Sequence, residues 1–290
     1  MRRICRGLPV GIVGTAGALV SSLVFSLLPL DAVAESREMS IRPFKLSVVP
    51  EVRTAYISLG KVYEDRPMQL TSIRLGYDTD IIGTLGIRNW DVSSLTDRRS
   101  EVHRHCLYHT EFGPTWEYDW QIAENWRLKN DLTSSWTLYR GFEDSSADKT
   151  YRWLQLDQSV ENPYAVPFWR MRKCVDPIDF FYFKLGLRKK IVFFDSFYVM
   201  PQVVTEGGSS GNNWRRLGKN VHGGDYPPGP ASVTFHLEVG WALGSNVTAY
   251  AYVEQYDVIL QDGRDTLDTS SAPEAHKDLT LGCVGVRFGF

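Results

Sequence analysis

Beyond its first 34 residues, this 290-residue chain has no uninterrupted apolar stretch approaching the roughly 20 residues that a membrane helix needs. Helical membrane spans are therefore excluded from the body of the protein. Cysteine is scarce too: Cys5 lies in the leading segment, and Cys106, Cys174 and Cys283 are an odd set that supports no disulfide framework. No charge of either sign dominates, with 32 Lys and Arg against 34 Asp and Glu and a net charge of −2. Without residues 1–34, which hold three Arg and one Asp, the balance is −4. That mild acidity gives no electrostatic case for a nucleic-acid partner. Nor is there a Cys-x-x-Cys or His-Glu-x-x-His sequence, and Gly218-Lys219-Asn220 lacks the Ser or Thr that follows the lysine of a phosphate-cradling loop.

What the chain does have begins at its N-terminus. Arg2, Arg3 and Arg6 precede an uncharged apolar run, Leu8 to Leu30, and Ala32-Val33-Ala34 supplies small residues at a cleavage position. The segment 1–34 is expected to be a signal peptide, 35–43 a short N-terminal segment, and 44–290 a single folded unit. The alternative is an uncleaved anchor, since the run is long enough to span a bilayer.

After the leader, period two recurs. Phe181, Phe183, Leu185 and Leu187 alternate with Tyr182, Lys184, Gly186 and Arg188, and Val233, Phe235, Leu237, Val239 and Trp241 alternate with Thr234, His236, Glu238 and Gly240. A helical period would mix these faces, so the segments are strands. The final strand repeats the pattern, with Val284, Val286, Phe288 and Phe290 on one face and Cys283, Gly285, Arg287 and Gly289 on the other. A mean hydropathy of −0.23 is compatible with this alternation. Aromatics make up 13% of the chain, including nine Trp, enough to furnish girdles at two membrane interfaces.

This ending resembles the C-terminal insertion signal of bacterial outer-membrane β-barrel proteins. The resemblance implies a strand that closes the barrel and presents Phe290, with Val284, Val286 and Phe288, to the barrel-assembly machinery. The expected fold is all-β, an antiparallel up-and-down transmembrane barrel of about 12 strands, with 10 or 14 as alternatives because Pro163 and Pro167 interrupt one segment. The first strand is expected over 44–59. Short links near Thr79-Asp80, Ala123 to Asn125, Lys190 to Asp195 and Gly244 to Asn246 fall on one side. Longer links near 91–102, 142–150, 206–231 and 261–277 fall on the other. Both termini are then periplasmic.

Inward parity nominates Glu51 and Glu111, together with Arg53, Arg74, Arg88, Glu117, Asp119, Arg127, Lys129, Asp131, Lys184, Arg188, Glu238 and Arg287, as lumen residues. Mixed charge suits a porin-like passive channel for small hydrophilic solutes, or a barrel filled by its own ion pairs. His103, His105 and His109 share one strand face with a spacing that suits a metal ion, against the plainer reading of a solvated strand extension. The 206–231 link is expected to be an external loop, with a constriction or a surface contact through Trp214 and Tyr226 as alternatives. Charge around Asp262 to Asp268 reads as solvated loop rather than a calcium site. A structural or surface-binding barrel and an autotransporter-type translocator are the further readings. A lipid-modifying enzyme ranks last, since Ser134, Ser135 and Ser145 near His109 form no Gly-x-Ser-x-Gly motif. No cofactor is expected, and the expected partners are outer-membrane lipid, the assembly machinery and small hydrophilic solutes.

Overall fold

The computed structural model describes residues 43–58, 61–64, 66–95, 108–140, 149–176, 180–194, 196–217, 220–269 and 276–290. Segment 1–34 therefore lies outside the described residues, as do His103, His105 and Cys106.

Twelve strands form the wall: β1 (Phe44–Arg53), β4 (Met68–Asp78), β5 (Thr84–Ser94), β6 (Tyr108–Ala123), β7 (Trp126–Arg140) and β8 (Lys149–Glu161). The ring continues with β9 (Val166–Asp176), β10 (Phe180–Arg188), β12 (Phe197–Gly208), β13 (Gly229–Ala242), β14 (Val247–Val258) and β15 (Asp278–Gly289). Between β1 and β4 lies a short hairpin, β2 (Tyr56–Ser58) with β3 (Lys61–Glu64), and β11 (Ile191–Phe193) lengthens the edge of β12. Successive wall strands pair antiparallel, β10 pairs β12 directly, and β1 pairs β15, so no edge is left open. The closure at β1 is completed by the last residue, where the Leu46 N–H donates to the Phe290 carbonyl at 2.9 Å and the Phe290 N–H donates back at 2.8 Å.

All links between wall strands follow one alternation. At one end the chain turns through 79–83, 124–125, 162–165, 189–196 and 243–246, and both Phe44 and Phe290 sit there. Positive φ at Asp80 (61°), Gly83 (87°), Asn125 (64°) and Phe194 (52°) marks how sharply it turns. The opposite end carries the links 54–67, 95–107, 141–148, 177–179, 209–228 and 259–277.

Two expectations are corrected at this long-link end. The first strand ends at Arg53 rather than 59, because the Thr54 N–H donates to the Gly282 carbonyl and its hydroxyl accepts from the Gly282 N–H, both at 2.9 Å, while Ala55 is buried. The chain leaves the wall at that clamp. The 206–231 and 261–277 links are not plain loops: they hold α1 (Ser210–Leu217) and α2 (Gln261–Thr269). Leu217, Tyr226, Ala231, Tyr256 and Val258 form one apolar cluster with Leu260, Leu267 and Ile57 packed against it. Tyr226, an alternative candidate for a surface contact, is buried there and donates to the Thr266 hydroxyl at 2.8 Å; burial raises its phenol above the ordinary value. Outside this cluster, the hydrogen bond from His222 and a second from Gln261 hold the Asp265 carboxyl below its usual range.

Candidate channel lumen

Alternation along each strand sorts the side chains to two faces of the wall. Leu75, Leu85, Ile87, Leu154, Leu185, Leu187, Val203, Leu237, Val239, Val253 and Val284 are exposed on the outside. Toward the turn end that surface is aromatic, with Phe44, Tyr77, Trp116, Trp120, Trp126, Phe193, Phe197, Trp241 and Phe290 exposed. An apolar belt edged by aromatic rings around a closed polar interior is what a bilayer requires of a strand-built span. Among the expected insertion residues, Val284 and Phe290 are exposed on this face. Phe288 is buried between its neighbours Val48 and Val247, and Val286 is intermediate.

The inner face is identified by polar contacts that skip strands, because in a closed wall such chords can only cross the interior. From β9, Arg172 donates to Glu111 on β6 at 2.5 Å, and Arg74 on β4 donates to Glu117 on β6 and Asp131 on β7, each at 2.5 Å. Arg287 on β15 reaches Glu238 on β13 at 2.7 Å and the Tyr198 hydroxyl on β12 at 2.8 Å, and Tyr250 on β14 donates to Glu51 on β1.

Glu111 is the centre of one network. Only 1% exposed, it accepts from Arg172, from Arg88 at 3.4 Å, from Ser135 at 3.1 Å and from Thr137 at 3.2 Å. Arg172 in turn lies 4.1 Å from the centroid of the Trp153 ring. A second network joins Arg287, Glu238, Tyr198 and His236, whose Nδ1 is 2.9 Å from Glu254, with the Arg287 guanidinium 3.7 Å from the Tyr250 ring centroid. Glycine makes room for it: a Cβ at Gly285 would come within 2.6 Å of the Tyr250 hydroxyl, and one at Gly240 would strike the Tyr198 ring.

The interior is uneven along the barrel. Near the turn end, a cavity of about 450 Å³ is lined by Arg74, Glu117, Asp119, Lys129, Asp131, Asp157, Arg170, Lys184 and Arg188, with Phe168, Trp169 and Gln202. Its charges are paired rather than free: Arg170 with Asp157 at 2.5 Å, Arg188 with Glu161 at 3.2 Å, Lys184 with Glu206 at 3.5 Å and Lys129 with Glu161 at 3.9 Å. Arg127 and Asp119 meet at 3.5 Å, and Arg53 donates to Glu51 at 2.5 Å. Near the long-link end apolar side chains join the inner face, among them Met68, Leu70, Val92, Tyr151, Trp153, Cys174, Phe180, Leu281 and Cys283, beside the charged Glu51, Arg53, Glu111 and Arg172.

Each of the fourteen residues nominated by parity takes part in an ion pair of the wall strands. Arg170, Arg172, Asp157, Glu161, Glu206, Glu254, Tyr198 and His236 were not nominated. Inward parity with Glu238 finds His236, whereas Pro163 and Pro167 obscure the register of the segment that carries Arg170 and Arg172. The histidine reading divides. His103 and His105 lie outside the described residues, whereas His109 is buried, 3.2 Å from the Tyr56 hydroxyl and edge-on to Trp90, rather than solvated above the membrane. Among the described residues no group of three or more His, Cys, Asp and Glu is placed to hold a metal ion. Ser209 stands in a Gly-x-Ser-x-Gly sequence between β12 and α1, but its hydroxyl accepts from the Asn212 N–H at 3.4 Å and the Phe181 N–H at 3.3 Å, which is the work of a helix cap.

No protein-family model and no curated protein matches the chain. Among solved structures it is similar to the KdgM porin in complex with disordered oligogalacturonate, at 10% identity and a TM-score of 0.45 over 85% of this chain and 99% of that one. It is similar to the NanC porin at 10% identity and a TM-score of 0.46, covering 84% and 98%. The translocator domain of the autotransporter NalP from Neisseria meningitidis matches at 12% identity and a TM-score of 0.45, covering 96% and 98%.

Proposed function

We propose that the protein is an integral outer-membrane barrel acting as a porin-like passive channel for small hydrophilic solutes. The observation that carries this is the charged cavity near the turn end, where Arg74, Lys129, Arg170, Lys184 and Arg188 face Glu117, Asp119, Asp131 and Asp157. A wall of both signs holds water and imposes only moderate charge selectivity. Export through segment 1–34, insertion by the assembly machinery through the final strand, and periplasmic placement of both ends complete the reading. The short turns fit the periplasmic side, as in barrels of this architecture. No catalytic step is assigned to it. Liposome swelling tests the proposal: vesicles holding the folded protein should admit small neutral sugars and amino acids at rates that fall with solute size, and absence of swelling with a demonstrably folded barrel contradicts it.

A second reading, a non-conducting structural barrel, is favoured by one observation, the buried network around Glu111 and the apolar cluster of Tyr56, Met68, Leu70 and Val92 in the same half of the interior.

A further inference from the structure

The geometry points to Ala55-Tyr56-Ile57 as an internal plug that sets the size limit of the channel at its long-link mouth. This deepens the channel reading and rests on it. Leaving the wall at the Thr54 clamp to β15, the chain folds across the mouth rather than out over it. Tyr56 is 1% exposed, packs with Met68, Leu70 and Val92 on the inner faces of β4 and β5, and reaches His109 on β6 with its hydroxyl. The next residue, Ile57, packs against two other clusters, one that holds Tyr252, Leu281 and Cys283 on β14 and β15 and one that holds Leu217, Tyr226 and Tyr256. One short strand thus touches wall strands on both sides of β1, two to five strands apart around the ring.

A narrow apolar constriction slows ions and hydrated solutes because it cannot replace their water, so that only the smallest pass. Its partners on the wall are largely apolar, Met68, Leu70 and Val92, with His109 as a polar partner. Solute entering the charged cavity from the turn end meets this plug as the last barrier.

The test compares the full chain with the Tyr56→Ala/Ile57→Ala variant, both shown to be folded by heat-modifiable migration. In planar bilayers the double variant is expected to raise single-channel conductance roughly two- to fivefold and to admit larger saccharides. A second readout places Val92→Cys, at a position 0% exposed, in a background with the native cysteines replaced by serine. A charged thiol reagent should label it roughly tenfold faster when the plug residues are alanine, because a water-filled path replaces a dry contact. Conductance in the parent with no change in the folded double variant overturns the plug alone. Silence of both folded proteins overturns the channel reading, and the plug's role in solute size with it.

Discussion

At the scale of single residues, the interior is organised by carboxylates that each hold more than one donor. Glu111 is the most demanding, since Arg172 beside it is itself only 6% exposed at the side chain. Removing one member of a buried pair leaves a charge without compensation. Glu111→Gln is expected to lower unfolding stability by about 3–5 kcal/mol, read as the shift in urea midpoint of the vesicle-inserted protein. The paired change Glu111→Gln/Arg172→Gln should recover much of that loss. A loss no larger than that of an exposed pair would show that the network is hydrated and contributes little. Glu111 was legible in the sequence because it alternates with Phe112 and Trp116, which face out. Its partner was not, because two prolines sit just ahead of the segment that carries Arg172 and hide which of its residues turn inward.

Among the elements, strands were far more legible than the links. A wall strand advertises itself by period two, so the β10, β13 and β15 segments could be placed from alternation alone. Helices α1 and α2 could not, because eight or nine residues rich in Gly, Asn, Asp and Thr carry weak helix propensity and are held by packing through Leu217 and Leu267. The bend at Thr54 was equally silent, since Tyr56-Ile57-Ser58 continues the alternation of β1 without a turn residue. The tight turns make the clearest prediction at this scale. Asn125 holds a φ of 64° between β6 and β7, so Asn125→Val should destabilise by about 1–2 kcal/mol in the same urea assay, while Asn125→Gly should be tolerated. In the packed link, Tyr226→Phe removes the hydrogen bond to Thr266 and should cost about 1 kcal/mol.

For the whole molecule, the two faces of the wall predict opposite responses to charge. Leu237 is 45% exposed near the middle of β13, on the face assigned to lipid. Leu237→Arg is expected to cost about 2–4 kcal/mol when folding is measured into phospholipid vesicles, because the arginine must enter hydrocarbon. A barrel that worked in water would accept the same change with little loss. The closed ring was legible because several strands had one such apolar face and the count near 12 was even. The state of the lumen was not, since a list of inward charges does not say which are paired. The structure answers that unevenly, with a cavity of paired charges at the turn end and, among the described residues, apolar clusters packed beside the Glu111 network toward the other.

Planar-bilayer recording of the purified, refolded full chain tests the central claim most directly. A channel with a charged chamber and a narrow apolar mouth predicts small, steady open-channel steps of weak ion selectivity, reversing near zero in a salt gradient. A barrel that migrates as folded, inserts into the bilayer and passes no current would contradict the account.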